Sequence, residues 1–285
     1  MDLNLARTFL AVVETGNFLG AAKRLYVTQS TVSMRIKSLE DQLGRTLFER
    51  NKTGASLTPA GAQFERHAAA LVRIWEQAKL TVALPAGHET ALTIGGSYSL
   101  WDGFLLKWLP WMRQAAPHVA LRAQRGTSAD LMAQLVNGSL DLAIMHTPAN
   151  RADVDIIKLF DDELVLVSSE PKPAPGLGAN YVFVNWGPEF LEDHQLNFPE
   201  HEAAGLAFDL GTLGVDFLLD NPSSGYFPRR VVAPLIAAGT LARVPDVPSF
   251  FYPVYAVLLA EPEEEPFATA LKGLHDVADQ VGGHG

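Results

Sequence analysis

Residues 9–50 read FLAVVETGNFLGAAKRLYVTQSTVSMRIKSLEDQLGRTLFER, and this stretch decides the architecture of the first part of the chain. From Leu5 to about Leu43 apolar residues recur at helical spacing, as in Leu5, Phe9, Val12 and Val13 and then Ala21, Ala22 and Leu25, which predicts three short helices. Gly16 with Asn17 breaks the first helix from the second. Thr28, just ahead of Gln29 and Ser30, brings a hydroxyl that accepts from the orphan amides of a third helix. That helix carries Val32, Ile36, Leu39 and Leu43 on its apolar side and stops at Gly44. Its other side shows Gln29, Ser30, Thr31, Met34, Arg35 and Lys37, with Ser33 between them. Amides and hydroxyls suit base edges, a guanidinium suits guanine or phosphate, and an ammonium suits phosphate. Ala21, Ala22, Leu25, Leu39, Leu43 and Phe48 read as core only.

A helix, a tight turn and a second helix with a polar outer face is the pattern whose second helix enters a major groove. The order from Phe18 to Arg50, with LTPAG at 57–61, resembles the N-terminal winged helix-turn-helix of LysR-type transcriptional regulators. The resemblance implies a wing over residues 46–58, with Arg50, Lys52 and Thr53 by the minor groove or backbone. It also implies that Thr28 and Thr58 lie among the DNA-facing residues. Embedded in this pattern, Gln29, Ser30 and Ser33 read as recognition residues rather than as plain caps and surface.

After Pro59 and Gly61 a helical stretch runs to about Ala83. Phe64, Ala68, Leu71, Trp75, Ala78 and Val82 alternate at spacings of four and three, which is a heptad seam. A copy of the same chain is the natural partner for such a seam, through Phe64, Leu71, Trp75 and Ala78. The alternative is an amphipathic helix lying on the body of the protein. Pro85 and Gly87 mark a hinge.

Beyond residue 90, short apolar runs alternate with helical segments, which predicts an α/β unit with a largely parallel sheet. Strands are expected near 92–96, 119–124, 140–145, 163–168, 181–185, 206–210, 224–227 and 253–260. ELVLVSS from Glu163 and VYAVLLAE from Val254 read as long strands crossing between two lobes. The phrases WLPWMRQAAPHVAL, LVNGSLDLAIM and AAGTLARV extend the resemblance to LysR-type effector domains. It implies a two-lobed unit like a periplasmic binding protein, with a small effector between the lobes. The resulting division is a winged helix-turn-helix over 1–58, a dimerisation helix over 59–86 and an effector-binding unit over 87–285. Its first lobe covers about 90–162 and 261–285, and its second about 163–260.

In open α/β sheets, ligands bind beyond the carboxyl ends of strands, where helix starts present free amides. The candidates are Ser97, Tyr98 and Ser99 after the first strand, Gly126, Thr127 and Ser128 after the second, and His146 and Thr147 after the third. In the second lobe they are Trp186, Thr212 and Phe227. Hydroxyls and amides at converging helix starts suit an anionic group such as a carboxylate. Trp101, Phe104, Leu105, Trp108 and Met112 repeat at three and four and read as core. DNPSSGYFPRR at 220–230 departs from the glycine-rich phrase of the family. Its Arg229 and Arg230 either neutralise an acidic effector or pair with the acidic surface or a partner subunit. Asp161 with Asp162 and the run Glu263 to Glu265 read as solvated faces and a helix start.

The chain has 285 residues, 48% of them hydrophobic and 19% charged, enough for two folded units and a sizeable core. With no cysteine, disulfides, thiolate nucleophiles and Cys-ligated metals are excluded. The opening MDLNLARTFLAV has an acid at Asp2 and no basic segment, which predicts no secretory leader. With no apolar run of spanning length either, the expectation is a cytoplasmic protein without membrane contact. The net charge of −10 divides unevenly. Residues 1–80 hold 11 Lys/Arg against 7 Asp/Glu, the remainder 11 against 25, giving +4 and −14. One basic end on an acidic body fits a chain that meets a polyanion at that end only.

No GxGxxG, GxxxxGK[ST], HExxH or GxSxG motif occurs, and the eight histidines lack metal-ligand spacing, so neither an enzyme nor a cofactor is expected. The expected partners are double-stranded DNA, a small effector, RNA polymerase and the chain itself, as a dimer or tetramer. Two alternatives stand beside this reading. One is an effector-independent, DNA-organising repressor whose cleft is closed by its own Trp and Phe side chains. The other is a solute-binding or catalytic α/β protein that has borrowed a helix-turn-helix.

Overall fold

The computed structural model describes residues 2–51, 54–82, 84, 86–151, 154–200, 205–259 and 264–282. α1 (Leu3–Thr15) starts at Asp2, whose carboxylate accepts from Asn4 N at 2.9 Å. It ends at Gly16, whose φ of 67° is the left-handed conformation that glycine takes without a Cβ penalty. α2 (Phe18–Arg24) is capped by Asn17, which accepts from Gly20 N at 2.6 Å. α3 (Gln29–Leu43) is capped by Thr28 as expected, with Thr31 N donating at 3.2 Å, and it stops at Gly44.

Val32, Ile36 and Leu39 are buried with Phe9, Val12, Phe18, Ala21, Ala22 and Phe48 in one core. Leu43 departs from its expected burial and is 42% exposed, because residues 41–46 run past that core into solvent. β1 (Phe48–Asn51) and β2 (Gly54–Leu57) form an antiparallel hairpin. Ala55 N donates to Gly16 O at 2.8 Å, and a Cβ on Gly54 would overlap that same carbonyl, so glycine lets the hairpin sit on the α1–α2 turn.

α4 (Pro59–Val82) begins at Thr58, whose hydroxyl accepts from Gly61 N at 3.0 Å. Its first half completes the N-terminal core: Ala68 and Val72 are buried, and the Phe64 ring meets Phe9 edge-on at 5.1 Å. Arg7 pairs with Glu76 farther along. From Leu71 on, the helix also turns a second stripe to solvent, where Leu71, Ile74, Trp75 and Val82 are exposed.

The body starts with β3 (Thr90–Ser97), α5 (Leu106–Ala115), β4 (Val119–Gly126), α6 (Ser128–Val136) and β5 (Leu142–Met145). β6 (Asp155–Ser168) crosses to a second lobe. That lobe holds β7 (Val182–Val184), α7 (Pro188–Asn197), β8 (Leu206–Phe208), α8 (Gly214–Asp220), β9 (Ser224–Pro228), α9 (Arg229–Ala237) and β10 (Ala242–Arg243). β11 (Phe250–Leu258) returns, and α10 (Phe267–Gly282) covers the first lobe.

The sheet is mixed rather than largely parallel. β3 runs parallel to β4 and β5, and β7 to β8, whereas β11 lies antiparallel to β5 and β6, and β6 antiparallel to β9 and β10. The reason is the connectivity: one strand carries the chain out and the other brings it back, so the two must oppose. Trp101, Phe104, Leu105, Trp108 and Met112 pack under α10 in the first lobe, the core role expected of them. The second lobe is packed around Val165, Val167, Leu218, Phe227 and Val232 on one side and Phe190, Tyr226 and Phe250 on the other. No helix of the described residues is long and apolar enough to cross a membrane.

Candidate functional site

The outer face of α3 is built by subtraction. With Val32, Ile36 and Leu39 held in the core, the 3.6-residue period turns Ser30, Met34 and Lys37 outward, with Gln29 at the helix start. Met34 is 66% exposed. Four other expected recognition residues are bonded or partly covered within their own domain. Thr28 Oγ1 lies 2.8 Å from both Thr31 Oγ1 and Ser30 Oγ, so the three hydroxyls meet at the cap. Arg35 leans back to donate to Thr8 Oγ1 of α1 at 3.3 Å, which takes its guanidinium off the outer face. Ser33 is half-buried. Thr58 donates to Thr46 O at 2.7 Å and caps α4. Lys52 and Thr53 lie outside the described residues, as does Pro85 of the expected hinge; of Arg50 the backbone alone is described, paired with Ala55.

Between the lobes lies a cavity of 180 Å³, where Ser99, His146 and Thr147 face Trp186, Glu189 and Phe190 across Asp162, Leu164 and Tyr252 of the crossover strands. Of the expected effector residues, Ser99, His146, Thr147 and Trp186 line it. Trp186 is fixed by donating its indole N–H to Tyr226 O at 2.8 Å. The others are occupied elsewhere. Thr127 forms a capping box with Asp130, and Ser128 accepts from Thr147 at 3.2 Å. Tyr98 sits under the Arg125 guanidinium at 5.2 Å. Thr212 donates to the Asp102 carboxylate, and Phe227 is fully buried core. Ser97 ends β3 outside the cavity lining.

Arg230 closes the back of the cleft. Its Nε and Nη2 donate to the two oxygens of Asp162 at 3.1 and 2.9 Å, and both side chains are almost wholly buried. The same guanidinium donates to Ser99 O at 2.7 Å and to Asp102 O, across the lobes. Those carbonyls are free because the chain between Leu100 and Leu106 is not a regular helix: Asp102 is extended (ψ 134°) and Gly103 has φ 72°. Asp162 is thus no solvated face, as its sequence neighbourhood suggests, but half of a buried ion pair. Arg229 pairs in turn with Glu163 at 3.2 Å. Both arginines are matched by acids of their own chain, the second of the two roles expected for them.

His146 shows what the cavity presents. Its Nδ1 lies 3.2 Å from Pro253 O, a pure acceptor, so Nδ1 carries the hydrogen. Burial pushes its pKa down, against an upward pull from Asp162, so the ring is neutral and Nε2 keeps a lone pair. Ser99 Oγ lies 3.4 Å from that nitrogen. Tyr252 is also shifted: burial first, then its hydrogen bond to Asp193, raises its pKa and keeps the phenol protonated. Asp162, Leu164, Glu189, Phe190, Tyr252 and Pro253 were not singled out by sequence as cavity residues. They come from the crossover strands and a helix start, and only the antiparallel pairing of β6 with β11 brings them beside His146.

Comparison with known proteins agrees with this architecture. Residues 3–62 match the bacterial regulatory helix-turn-helix protein, lysR family, and residues 85–202 match the LysR substrate binding domain. The HTH-type transcriptional regulator HdfR of Yersinia enterocolitica is 33% identical over 285 residues, covering 93% of either chain. Among solved structures, ArgP from Mycobacterium tuberculosis superposes with a TM-score of 0.59 at 23% identity, covering 98% of this chain and 97% of that one. LysG from Corynebacterium glutamicum, solved with bound effector Arg, does so with 0.59 at 20% identity, covering 98% and 99%. These relatives and both family descriptions are of regulators, not enzymes. The chain belongs to the LysR family of bacterial helix-turn-helix transcriptional regulators.

Proposed function

We propose that this regulator reads a specific operator as a dimer and that a small molecule in the interlobe cavity sets its activity. The observation that carries the DNA reading is the outer face of α3, where Gln29, Ser30, Met34 and Lys37 stand free of the core while the opposite face is fixed in it. Gln29 and Ser30 at the helix start are suited to base edges, and Lys37 to phosphate. The β1–β2 hairpin, fastened to the α1–α2 turn, is the wing beside that helix. Dimerisation runs through Leu71, Trp75 and Ala78, joined by Ile74, with Phe64 left to the intrachain core. Pairing of the acidic bodies extends the dimer to a tetramer. RNA polymerase is the further partner, and the cytoplasm the place of action.

The cavity supports an effector and argues against a cleft filled by the protein's own Trp and Phe side chains. A ligand that binds two lobe arrangements unequally shifts the population between them, which is all that regulation requires. The test is selection of genomic fragments by the full chain at about 0.15 M salt and again at double that, followed by footprinting. The expected result is a small set of fragments that survive the higher salt and carry a two-fold pattern. Uniform capture erased by salt would overturn specific recognition, since phosphate contacts alone behave that way.

A further inference from the structure

Building on the effector-cavity reading, we infer that the effector is a small organic cation, an ammonium or guanidinium on an apolar body, and not the carboxylate that the helix starts suggest. The charges at the cavity decide this. Asp162 and Arg230 neutralise each other in a buried bidentate pair. Asp193 accepts from the Tyr252 hydroxyl at 2.9 Å. Glu189 remains, an exposed carboxylate in the lining with neither a hydrogen bond nor an ion pair among the described residues. Among the described residues no lysine or arginine lines the cavity, and His146, the histidine in its lining, is neutral.

The remaining polar atoms agree in sense. His146 Nε2 accepts from the Ser99 hydroxyl, which uses up that donor within the chain, and Pro228 and Pro253 have no backbone N–H to present. A carboxylate placed there would face Glu189 without a compensating cation. An ammonium would face Glu189 instead. The apolar share of the lining, Trp186, Phe190, Tyr252 and Leu164, takes the rest of the ligand, and aromatic faces also favour a positive charge. Glu189 stands in the first turn of α7, where a negative charge is favourable, so holding that acid ready against the cleft costs the fold little.

The test compares head groups on a common body, by isothermal titration calorimetry of the full chain. The probes are 2-phenylethylammonium, 2-phenylethanol and 3-phenylpropanoate, and the matched set hexylammonium, hexanol and hexanoate. At least one ammonium probe is expected to bind about tenfold or more tighter than its carboxylate partner, the scale of one exposed ion pair with a cation–π contact. Glu189→Gln should bring the two within about threefold of each other. Thr147→Trp, a filling change at an exposed position of the cavity mouth, should abolish binding of both. A carboxylate or alcohol that binds as tightly as the ammonium, and is lost in Thr147→Trp, would overturn the cation and leave the effector cavity standing. An ammonium preference that survives Glu189→Gln unchanged would overturn the assigned charge partner. Absence of binding by all six probes, or binding indifferent to Thr147→Trp, would overturn the cavity reading and the cation with it.

Discussion

Arg230 makes four hydrogen bonds from one guanidinium, two to Asp162 and one each to Ser99 O and Asp102 O, in a site closed to solvent. Taking both charges out of water is costly, and the pair repays this only because every donor it uses has a partner. Removing one member therefore exposes the cost of the other. Arg230→Ala should destabilise the body by about 3–5 kcal/mol, whereas Arg230→Met combined with Asp162→Leu should recover most of that loss. Denaturant unfolding followed by tryptophan emission reads this directly, since Trp101, Trp108, Trp111 and Trp186 all lie in the body. A single variant as stable as the parent would mean that Asp162 is not buried in solution. This clasp was not legible in the sequence: its members stand 68 positions apart, and two of its acceptors are backbone carbonyls freed by a broken helix start. By contrast, Thr28 as a cap and Gly16 and Gly44 as stops were legible, because each acts on its immediate neighbours.

α4 carries two stripes in succession. Phe64, Ala68 and Val72 fill the space against α1, and Leu71, Ile74, Trp75 and Ala78 open a groove toward solvent beside Asp2 and Leu3. The period of the apolar residues was readable from the sequence, but a period does not say which neighbour a stripe meets, and α1 claims the first half. The two halves should then respond differently to change. Trp75→Glu, with or without Ile74→Lys, should weaken self-association by about 2 kcal/mol or more, the cost of losing a central aromatic anchor, and leave the folding of the N-terminal core untouched. Phe64→Ala should lower that core's denaturant midpoint through the cavity it leaves beside Phe9. Sedimentation equilibrium and denaturant unfolding separate the two effects. Equal loss of fold in both variants would mean that the exposed half is covered by the chain itself rather than by a second copy.

At the scale of the whole molecule the chain is a basic end joined to an acidic, two-lobed body. The lobes were legible as alternating strands and helices with two long crossovers. The direction of the sheet was not, since strand polarity follows from connectivity and not from local pattern. The uneven charge has a consequence that symmetry multiplies. With +4 on residues 1–80 and −14 beyond them, phosphate contact belongs to the N-terminal unit. In a two-fold dimer every contacting side chain is used twice. Each phosphate contact lowers the slope of log K against log salt by about 0.9, so a dimer with roughly six to ten contacts should lose about 10³ to 10⁵ in affinity between 50 and 200 mM salt. Lys37→Ala, on the outer face of α3, then removes two contacts and should reduce the slope by about 1.8. Measured by fluorescence anisotropy on a footprinted operator, a change near 0.9 would mean that one recognition helix engages DNA at a time. No change would take Lys37 off the phosphate backbone, and the orientation of α3 argued above would have to be given up.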